Sequence, residues 1–169
     1  MKKLLIALIF FALCCSSAIE SRIIPITLEH AVTPEQHSWG LMGRESLPPS
    51  HGMLFHYATS KRMSVWSFNC HIDLSLAFLD SRGVILEIQD LKAYPEAMDP
   101  ARPVLSPRDL SKYPLNDPIT RFFIRNSVTS KKPATYLLEM NAGWFSENNV
   151  NVGDVLISQK ESYIQTFKK

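Results

Sequence analysis

A run of alternating side chains in the middle of the chain constrains the fold most. Apolar residues occupy every second position from Trp66 to Phe78, and mostly polar residues fill the positions between them. Because successive side chains of a β-strand point to opposite faces, this period predicts one long strand with a buried face and a solvated face. We expect a bend or bulge at residues 70–73, since the run is longer than most strands.

Other segments with strand patterning lie on both sides of this run. The turn Asp80–Gly83 joins it to the next segment as a hairpin. Outside the proline-rich segment at 90–120, helix signals are confined to residues 143–149 and to a segment after Thr33, which forms a capping box with Gln36. The remaining predicted strands are 23–32, 52–57, 84–88, 121–127, 134–141 and 151–158. Many short strands with so little helix predict an all-β domain, a β-sandwich or small barrel with one or two short helices.

Prolines interrupt the strand patterning between residues 90 and 120. Six of the 11 prolines lie there, at positions 95, 100, 103, 107, 114 and 118. Each proline removes a backbone donor, so a central strand cannot run through this segment. We expect a proline-rich loop or lid at 90–120, with one helical turn at 107–112.

The first 18 residues have the pattern of a signal peptide. Lys2 and Lys3 precede the apolar run Leu4–Leu13, and the small residues Ser16 and Ala18 follow it. About ten apolar residues span about 15 Å as a helix, half of a ~30 Å hydrocarbon core, which favours a cleaved leader over a membrane anchor. The pattern predicts cleavage after Ala18, leaving a single mature domain at 19–169.

Cys14 and Cys15 allow a second interpretation of this leader, because a lipid on either thiol would make the protein a membrane-anchored lipoprotein. The bulky residues Phe11 and Leu13 just before them favour plain cleavage. Cleavage would leave Cys70 as the only thiol, so no intramolecular disulfide could form. No second apolar stretch of membrane-spanning length follows. The predicted location is the periplasm or the medium, with the lipoprotein as the alternative.

The charge of the chain does not favour nucleic acid as a partner. The sequence has 18 Lys and Arg and 16 Asp and Glu, and setting aside Lys2 and Lys3 of the leader leaves 16 of each. Nucleic acids and anionic membranes both select proteins with a concentrated basic face. We therefore predict no nucleic-acid partner, and a small ligand or an envelope protein instead.

Candidate catalytic residues are present, but their spacing does not form a site. His71, Asp73 and Ser75 share one face of the predicted strand and are the residue types of a hydrolytic triad. Successive Cα atoms on that face would be about 6.6 Å apart, too far for linked hydrogen bonds. Cys70 and His71 would point to opposite faces, which favours a buried structural cysteine over a nucleophile. No catalytic residue is assigned.

Side chains of metal-binding type occur in the middle of the chain without the close spacing of a strong metal site. They are His51, His56, Cys70, His71 and Asp73. The six glycines form no phosphate-binding or dinucleotide motif. The sequence therefore predicts no metal and no cofactor.

A set of short motifs lies in a fixed order along most of the mature chain. They are Gly40-Leu41-Met42 with Arg44, Gly52-Met53-Leu54-Phe55, Trp66 with Asn69, Phe78-Leu79-Asp80 with Gly83, Tyr136-Leu137-Leu138-Glu139, Ala142-Gly143 and Gly153-Asp154. This ordered set resembles the exported prokaryotic family called domain of unknown function 192. The resemblance implies a compact all-β domain with minor helices and supplies no reaction. The chain departs from the family pattern after Trp66, where it has Ser67, Phe68 and Cys70.

Six residues are candidates for binding a ligand. Two tryptophans each lie near a glycine and a short helix and could stack on a flat ligand at a pocket rim. Four polar residues match motif positions of the family, although polar residues beside strands more often pair with backbone groups. The candidates are Trp39, Arg44, Asn69, Glu139, Trp144 and Asp154.

The favoured function is non-catalytic binding of a small molecule or envelope component by an exported domain. One alternative is a hydrolase whose residues are gathered from several strands. The other is an accessory protein that docks to a partner through the proline-rich segment at 94–118.

Overall fold

The computed structural model describes residues 21–158 and 162–167, so the predicted leader with Cys14 and Cys15 lies outside the described residues. The strands are β1 (Ser21–Ala31), β2 (His51–Lys61), β3 (Ser64–Val65), β4 (Leu74–Leu79), β5 (Ile85–Leu91), β6 (Val128–Thr129), β7 (Ala134–Asn141), β8 (Val155–Ser158) and β9 (Ser162–Phe167). Seven of them form one sheet in the order β5-β4-β7-β2-β1-β9-β8, and β3 pairs with β6 apart from it.

Helices are few and short in the described part of the chain. They are α1 (Pro34–Trp39), α2 (Pro118–Arg125), α3 (Trp144–Glu147) and two 3-10 turns at Pro95–Ala97 and Pro107–Lys112. The capping box predicted for Thr33 and Gln36 begins α1 as expected. None of the described helices is long and apolar enough to cross a membrane. The prediction of an all-β fold with short helices is confirmed.

The sheet curls into a half-barrel, and a few backbone hydrogen bonds beside Gly83 join its two edges. Val84, just before β5, forms a bridge with Val155 of β8. The Leu156 amide donates to the Gly83 carbonyl at 2.8 Å, and the Ile85 amide donates to the Asp154 carbonyl at 2.9 Å. These bonds pair backbone groups that an open sheet would leave exposed at its edges.

The predicted long strand is wrong over its first half. The chain from Trp66 to Asp73 is irregular, and only Leu74–Leu79 forms a strand. Asn69 adopts a φ of +53°, which an extended strand does not allow. Its side chain donates to the Val104 carbonyl at 3.1 Å, and its own carbonyl accepts from the Gly43 amide at 2.8 Å. These tertiary bonds turn the chain out of the sheet.

The strand predicted at residues 121–127 is also wrong, because most of this segment belongs to helix α2. The Asp117 side chain accepts from the Ile119 amide at 2.8 Å and caps the helix start. Pro118 stands in the first turn, where a missing amide proton costs nothing. Phe123 is buried by the fold. An N-terminal cap and one buried helix face therefore override the apolar content that had indicated a strand.

Three apolar clusters pack around the sheet. The first, on the concave face, includes Leu138 and Met140 of β7 together with Trp144. The second, on the opposite face, includes Leu137 of β7 with Leu41, Leu74, Leu76 and Phe78. The third is built from the proline-rich segment, helix α2 and Phe68, with Val104, Tyr113 and Phe123 at its centre. Both faces of the central strands are thus covered, and residues 90–120 pack against the rest of the protein.

Candidate functional site

A cavity of about 100 Å³ opens on the face of the sheet that carries the second apolar cluster. Strands β2 and β7 form its floor, and the end of α1 and the irregular segment before β4 form its walls. Its lining includes the ionisable and aromatic residues His37, Tyr57, Trp66, Cys70 and Glu139. We call it the Glu139 cavity.

Glu139 is the most unusual residue of this cavity. In β7 it lies between Met53 of β2 and Leu76 of β4, so it is held at the middle of the sheet. Its side chain is only 5% exposed. It makes no hydrogen bond with any described residue, whereas every fully sealed polar side-chain atom of the described chain has a partner. The carboxyl group is therefore not sealed in packed protein but reaches the open space of the cavity.

The protonation state of Glu139 follows from this burial. Removal from water disfavours the charged form and raises the pKa of the carboxyl to about 8. At neutral pH the side chain is mostly a neutral acid, which can both donate and accept a hydrogen bond. Perturbed carboxyls in cavities are typical of functional sites.

Aromatic side chains form much of the wall beside this carboxyl. Trp66 is half-buried and stacks on Phe68, with ring centroids 5.1 Å apart. The Tyr57 ring lies 4.7 Å from the His37 ring, and burial together with Glu139 raises the pKa of its phenol. The Lys61 ammonium lies 4.2 Å from the centroid of the Tyr57 ring. The cavity thus combines one acidic group with flat aromatic faces.

Cys70 also lines the cavity, but as an inert thiol. Burial, with a smaller effect from Glu139, raises the pKa of its thiol to about 12. Only the thiolate is a good nucleophile, so this side chain does not act as one at neutral pH. The interpretation of Cys70 as a buried structural cysteine agrees with its 6% exposure.

We expect Cys70 to resist alkylation in the folded protein. At pH 8 a thiol with a pKa near 12 should react with iodoacetamide at least roughly 1000-fold more slowly than an unfolded cysteine with a pKa of about 8.5. The measurement is the rate at which the tryptic peptide containing Cys70 gains the adduct mass, in buffer and in urea. Equal rates in the two solvents would contradict the assignment.

Of the six ligand-binding candidates predicted from the sequence, Glu139 alone is among the residues lining this cavity. Trp39 is half-buried at the end of α1 and packs against the third apolar cluster. Arg44 forms an ion pair with Glu29 at 2.6 Å near the surface. The structure does not bring these side chains together with Glu139.

The other three candidates support the fold where the structure places them. Asn69 joins two loops through the bonds described above. Trp144 is 4% exposed in the first apolar cluster. Asp154 is buried, and its carboxylate accepts from the Asn151 amide at 2.7 Å in the turn before β8. Their predicted contact with a ligand stays a prediction.

A larger cavity, of about 220 Å³, opens at the mouth of the half-barrel between His56, Arg82 and Tyr136. Its charged and basic groups already have partners in the protein. His56 Nε2 lies 2.8 Å from His30 Nδ1, and Arg82 forms an ion pair with Asp80. Size alone does not make a binding site, so the smaller cavity with the unpartnered carboxyl is the better candidate.

The polar residues His71, Asp73 and Ser75 do not assemble into a triad. His71 is exposed, and the Asp73 carboxylate accepts from the Ala93 amide at 2.7 Å. The Ser75 hydroxyl donates to Asp90 at 2.6 Å. Among the described residues, no group of three or more His, Cys, Asp and Glu side chains is arranged to hold a metal ion.

Sequence reasoning missed Tyr57, Trp66 and His37 as parts of the cavity. Trp66 was assigned to the buried side of the long predicted strand, and that strand does not form there. One feature of the sequence could have indicated the cavity, because Glu139 interrupts the apolar run Leu137–Met140. An ionisable residue inside a strand with apolar neighbours on both faces is costly and calls for an explanation.

The fold and the cavity define a small half-barrel β domain whose cavity holds one buried acidic group. The chain belongs to the family of domain of unknown function 192, described as "Uncharacterized ACR", whose model matches residues 17–111. No curated protein matches the chain. The family's function is uncharacterised, so membership confirms the resemblance and adds no activity.

Two solved structures are similar to this chain over most of their length. One is a candidate transcription regulator from Sinorhizobium meliloti 1021, with 24% identity and a TM-score of 0.55, covering 89% of this chain and 94% of that chain. The other is a protein of unknown function from Novosphingobium aromaticivorans DSM 12444, with 19% identity and a TM-score of 0.55, covering 81% and 83%. At these identities the likeness shows a shared fold.

Proposed function

We propose that this protein binds a small molecule in the Glu139 cavity without chemically changing it. The observation that carries the proposal is the buried carboxyl group with no hydrogen-bond partner among the described residues. Holding this carboxyl largely away from bulk water disfavours its charged form and costs folding free energy. A ligand that pairs with it would offset this cost. The inert thiol of Cys70 supports binding rather than catalysis.

The hydrolase alternative has less support. Asp73 and Ser75 are bonded to other groups, and His71 is exposed. We do not propose a regulatory role for this chain from the description of the Sinorhizobium protein. The basic and acidic residues of this chain are equal in number after the predicted leader, which gives no electrostatic reason to bind DNA.

Mass spectrometry of the protein from its own host tests the binding proposal. We expect the native spectrum to show the chain with an added small mass that leaves on denaturation. The Glu139→Leu variant should lose this mass while keeping its fold by circular dichroism, and the exposed control Glu45→Gln should retain it. The proposal fails if the wild type carries no added mass, or if Glu139→Leu carries the same mass.

We also propose that the protein is exported, with cleavage after Ala18. The charged, apolar and small residues of the leader support this, and the family match begins only at residue 17. The denaturing spectra of the same preparation report the outcome. A chain beginning at Ile19 supports a periplasmic or secreted protein, an acyl mass on Cys14 or Cys15 supports a lipoprotein, and an intact leader contradicts export.

A specific observation supports docking of an envelope protein as a second candidate function. Leu105 and Leu115 of the proline-rich segment are 82% and 78% exposed. We expect a photo-crosslinking residue at position 105 to give one discrete adduct in cells, which the Leu115→Ser change should weaken. The same crosslinker at the exposed Val152 is the control. Adducts of equal yield at both positions would contradict a docking surface.

A further inference from the structure

We infer that the Glu139 cavity receives a small organic cation, an amine or methylated ammonium group. This inference rests on the proposed function and specifies its ligand class. It follows from what the cavity offers, namely one buried carboxyl, the faces of aromatic rings and little room.

The carboxyl favours a cation over a neutral or anionic ligand. Glu139 is the one acidic side chain among the lining residues, and His37 is the one basic side chain. The His37 Nε2 lies 2.9 Å from the Ala31 carbonyl and donates to it, so that nitrogen is not offered to a ligand. An ammonium group would pair with the carboxylate in a site of low dielectric, where charges interact strongly. An anion would be repelled by the ionised form of Glu139.

The aromatic walls favour the same class. Trp66 and Tyr57 line the cavity beside the carboxyl, and cations are attracted to the faces of such rings. The Tyr57 ring shows this attraction within the protein, because Lys61 Nζ lies 4.2 Å from its centroid. Lys61 occupies that face of Tyr57, so Trp66 is the ring for a ligand cation. A carboxyl and an aromatic ring in one cavity suit amines and quaternary ammonium groups.

The size of the cavity limits the ligand. A volume of about 100 Å³ admits a head group of a few non-hydrogen atoms. The cavity is open to solvent, so the remainder of a longer ligand can extend outward. The site therefore fits the ammonium end of a molecule of the size of choline or ethanolamine.

Binding of a permanent cation should depend on pH through Glu139. The cation pairs with the ionised form, and burial keeps the pKa of the free carboxyl at about 8. Affinity should therefore rise about tenfold from pH 6 to 7 and about fivefold from pH 7 to 8, and then level off. Four other ionisable groups line the cavity or lie at its edge, namely His37, Tyr57, Cys70 and Lys61. A His37→Gln variant should keep this pH dependence if Glu139 is its source.

The test compares choline with 3,3-dimethylbutan-1-ol, its uncharged carbon analogue, by calorimetry on the mature protein. We expect choline to bind at pH 8 at least tenfold more tightly than the neutral alcohol. Ethanolamine, with a primary ammonium, serves as the second cation. Glu139→Gln should lose the preference and the pH dependence. The exposed control Glu45→Gln should leave both in place.

A second pair of variants tests the inference if Glu139→Gln fails to fold. Trp66→Leu removes one ring face and keeps the carboxyl, so it should weaken choline binding severalfold with little effect on the neutral alcohol. Trp39→Leu is the matched control, because both tryptophans pack against the third cluster and only Trp66 lines the cavity. Thermal melting verifies that both variants fold.

The outcomes separate this inference from the proposed function. Equal binding of choline and the alcohol would overturn the charge preference while leaving small-molecule binding in place. Choline binding that is independent of pH would also overturn the inference. Failure of both cations to bind would overturn it too, and the Glu139-dependent bound mass would then decide the proposed function separately.

Discussion

The folding stability of the wild-type protein should fall as pH rises from about 5 to 8, and Glu139→Gln should remove most of this fall. The folded-state pKa of Glu139 is about 8, against about 4.3 in an unfolded chain. Between these values the unfolded chain releases a proton that the folded chain keeps, so stability declines with pH. The expected loss is roughly 4 kcal/mol at most, a large part of a typical domain's stability.

Urea denaturation at pH 5, 6, 7 and 8 measures this directly. Glu45→Gln is the matched control, because Glu45 is exposed and should leave the slope unchanged. Lowered carboxyl pKa values elsewhere, such as that of Asp80, act in the opposite direction and only at lower pH. A wild-type stability that is flat between pH 5 and 8 would contradict the assignment of Glu139 as a buried neutral acid.

The same carboxyl links stability to function. Replacing an unpartnered buried acid with an apolar side chain removes its desolvation cost, so Glu139→Leu should be more stable than the wild type at pH 8. A protein that keeps such a group is less stable than it could be, and a ligand that pairs with the carboxyl can offset this loss of stability. Gain of stability with loss of the bound mass in this variant is the combined signature of a binding residue.

Gly83→Ala should destabilise the protein by roughly 3 kcal/mol or more. Gly83 has a φ of +83°, and a Cβ there would lie 2.3 Å from the Leu156 carbonyl oxygen. Both sides of this contact are backbone, so neither can yield without breaking the Gly83–Leu156 hydrogen bond that joins the sheet edges. The substitution should therefore separate the two sheet edges where they meet at Gly83 and Leu156.

Gly43→Ala provides the control for backbone conformation alone. Gly43 has a φ of +71°, with no atom within 4 Å of an added Cβ. This change should cost only about 1 to 2 kcal/mol, the penalty of a left-handed conformation. The two variants are compared by urea denaturation at pH 6. Equal losses would mean that the contact with Leu156 does not hold the sheet closed.

Parts of the fold whose interactions are local follow from the sequence. The Thr33–Gln36 capping box, the turn Asp80–Gly83 and the strand at 134–141 all form as predicted. Each depends on contacts between near neighbours or on a period within one element. Strand β9 at Ser162–Phe167 was not predicted, because half of its residues are polar and its pairing with distant β1 makes it a strand.

Only part of the candidate site could be predicted from the sequence. Glu139 was predicted to bind a ligand, on its match to a family motif, and it lies in the cavity. Tyr57 and Trp66 were not, since their position beside Glu139 depends on how the segment before β4 leaves the sheet. Alternation of apolar residues does not distinguish a strand from an irregular segment whose side chains pack against a second layer.

The amino-acid sequence by itself determined the fold class, the family and the local turns, because apolar periodicity and backbone preferences act over a few residues. Only the tertiary structure decided where the long alternating run stops being a strand, how the sheet edges meet at Gly83, and that Glu139 has no hydrogen-bond partner among the described residues. The physical reason is that burial and pairing depend on which distant segments cover each face of the sheet.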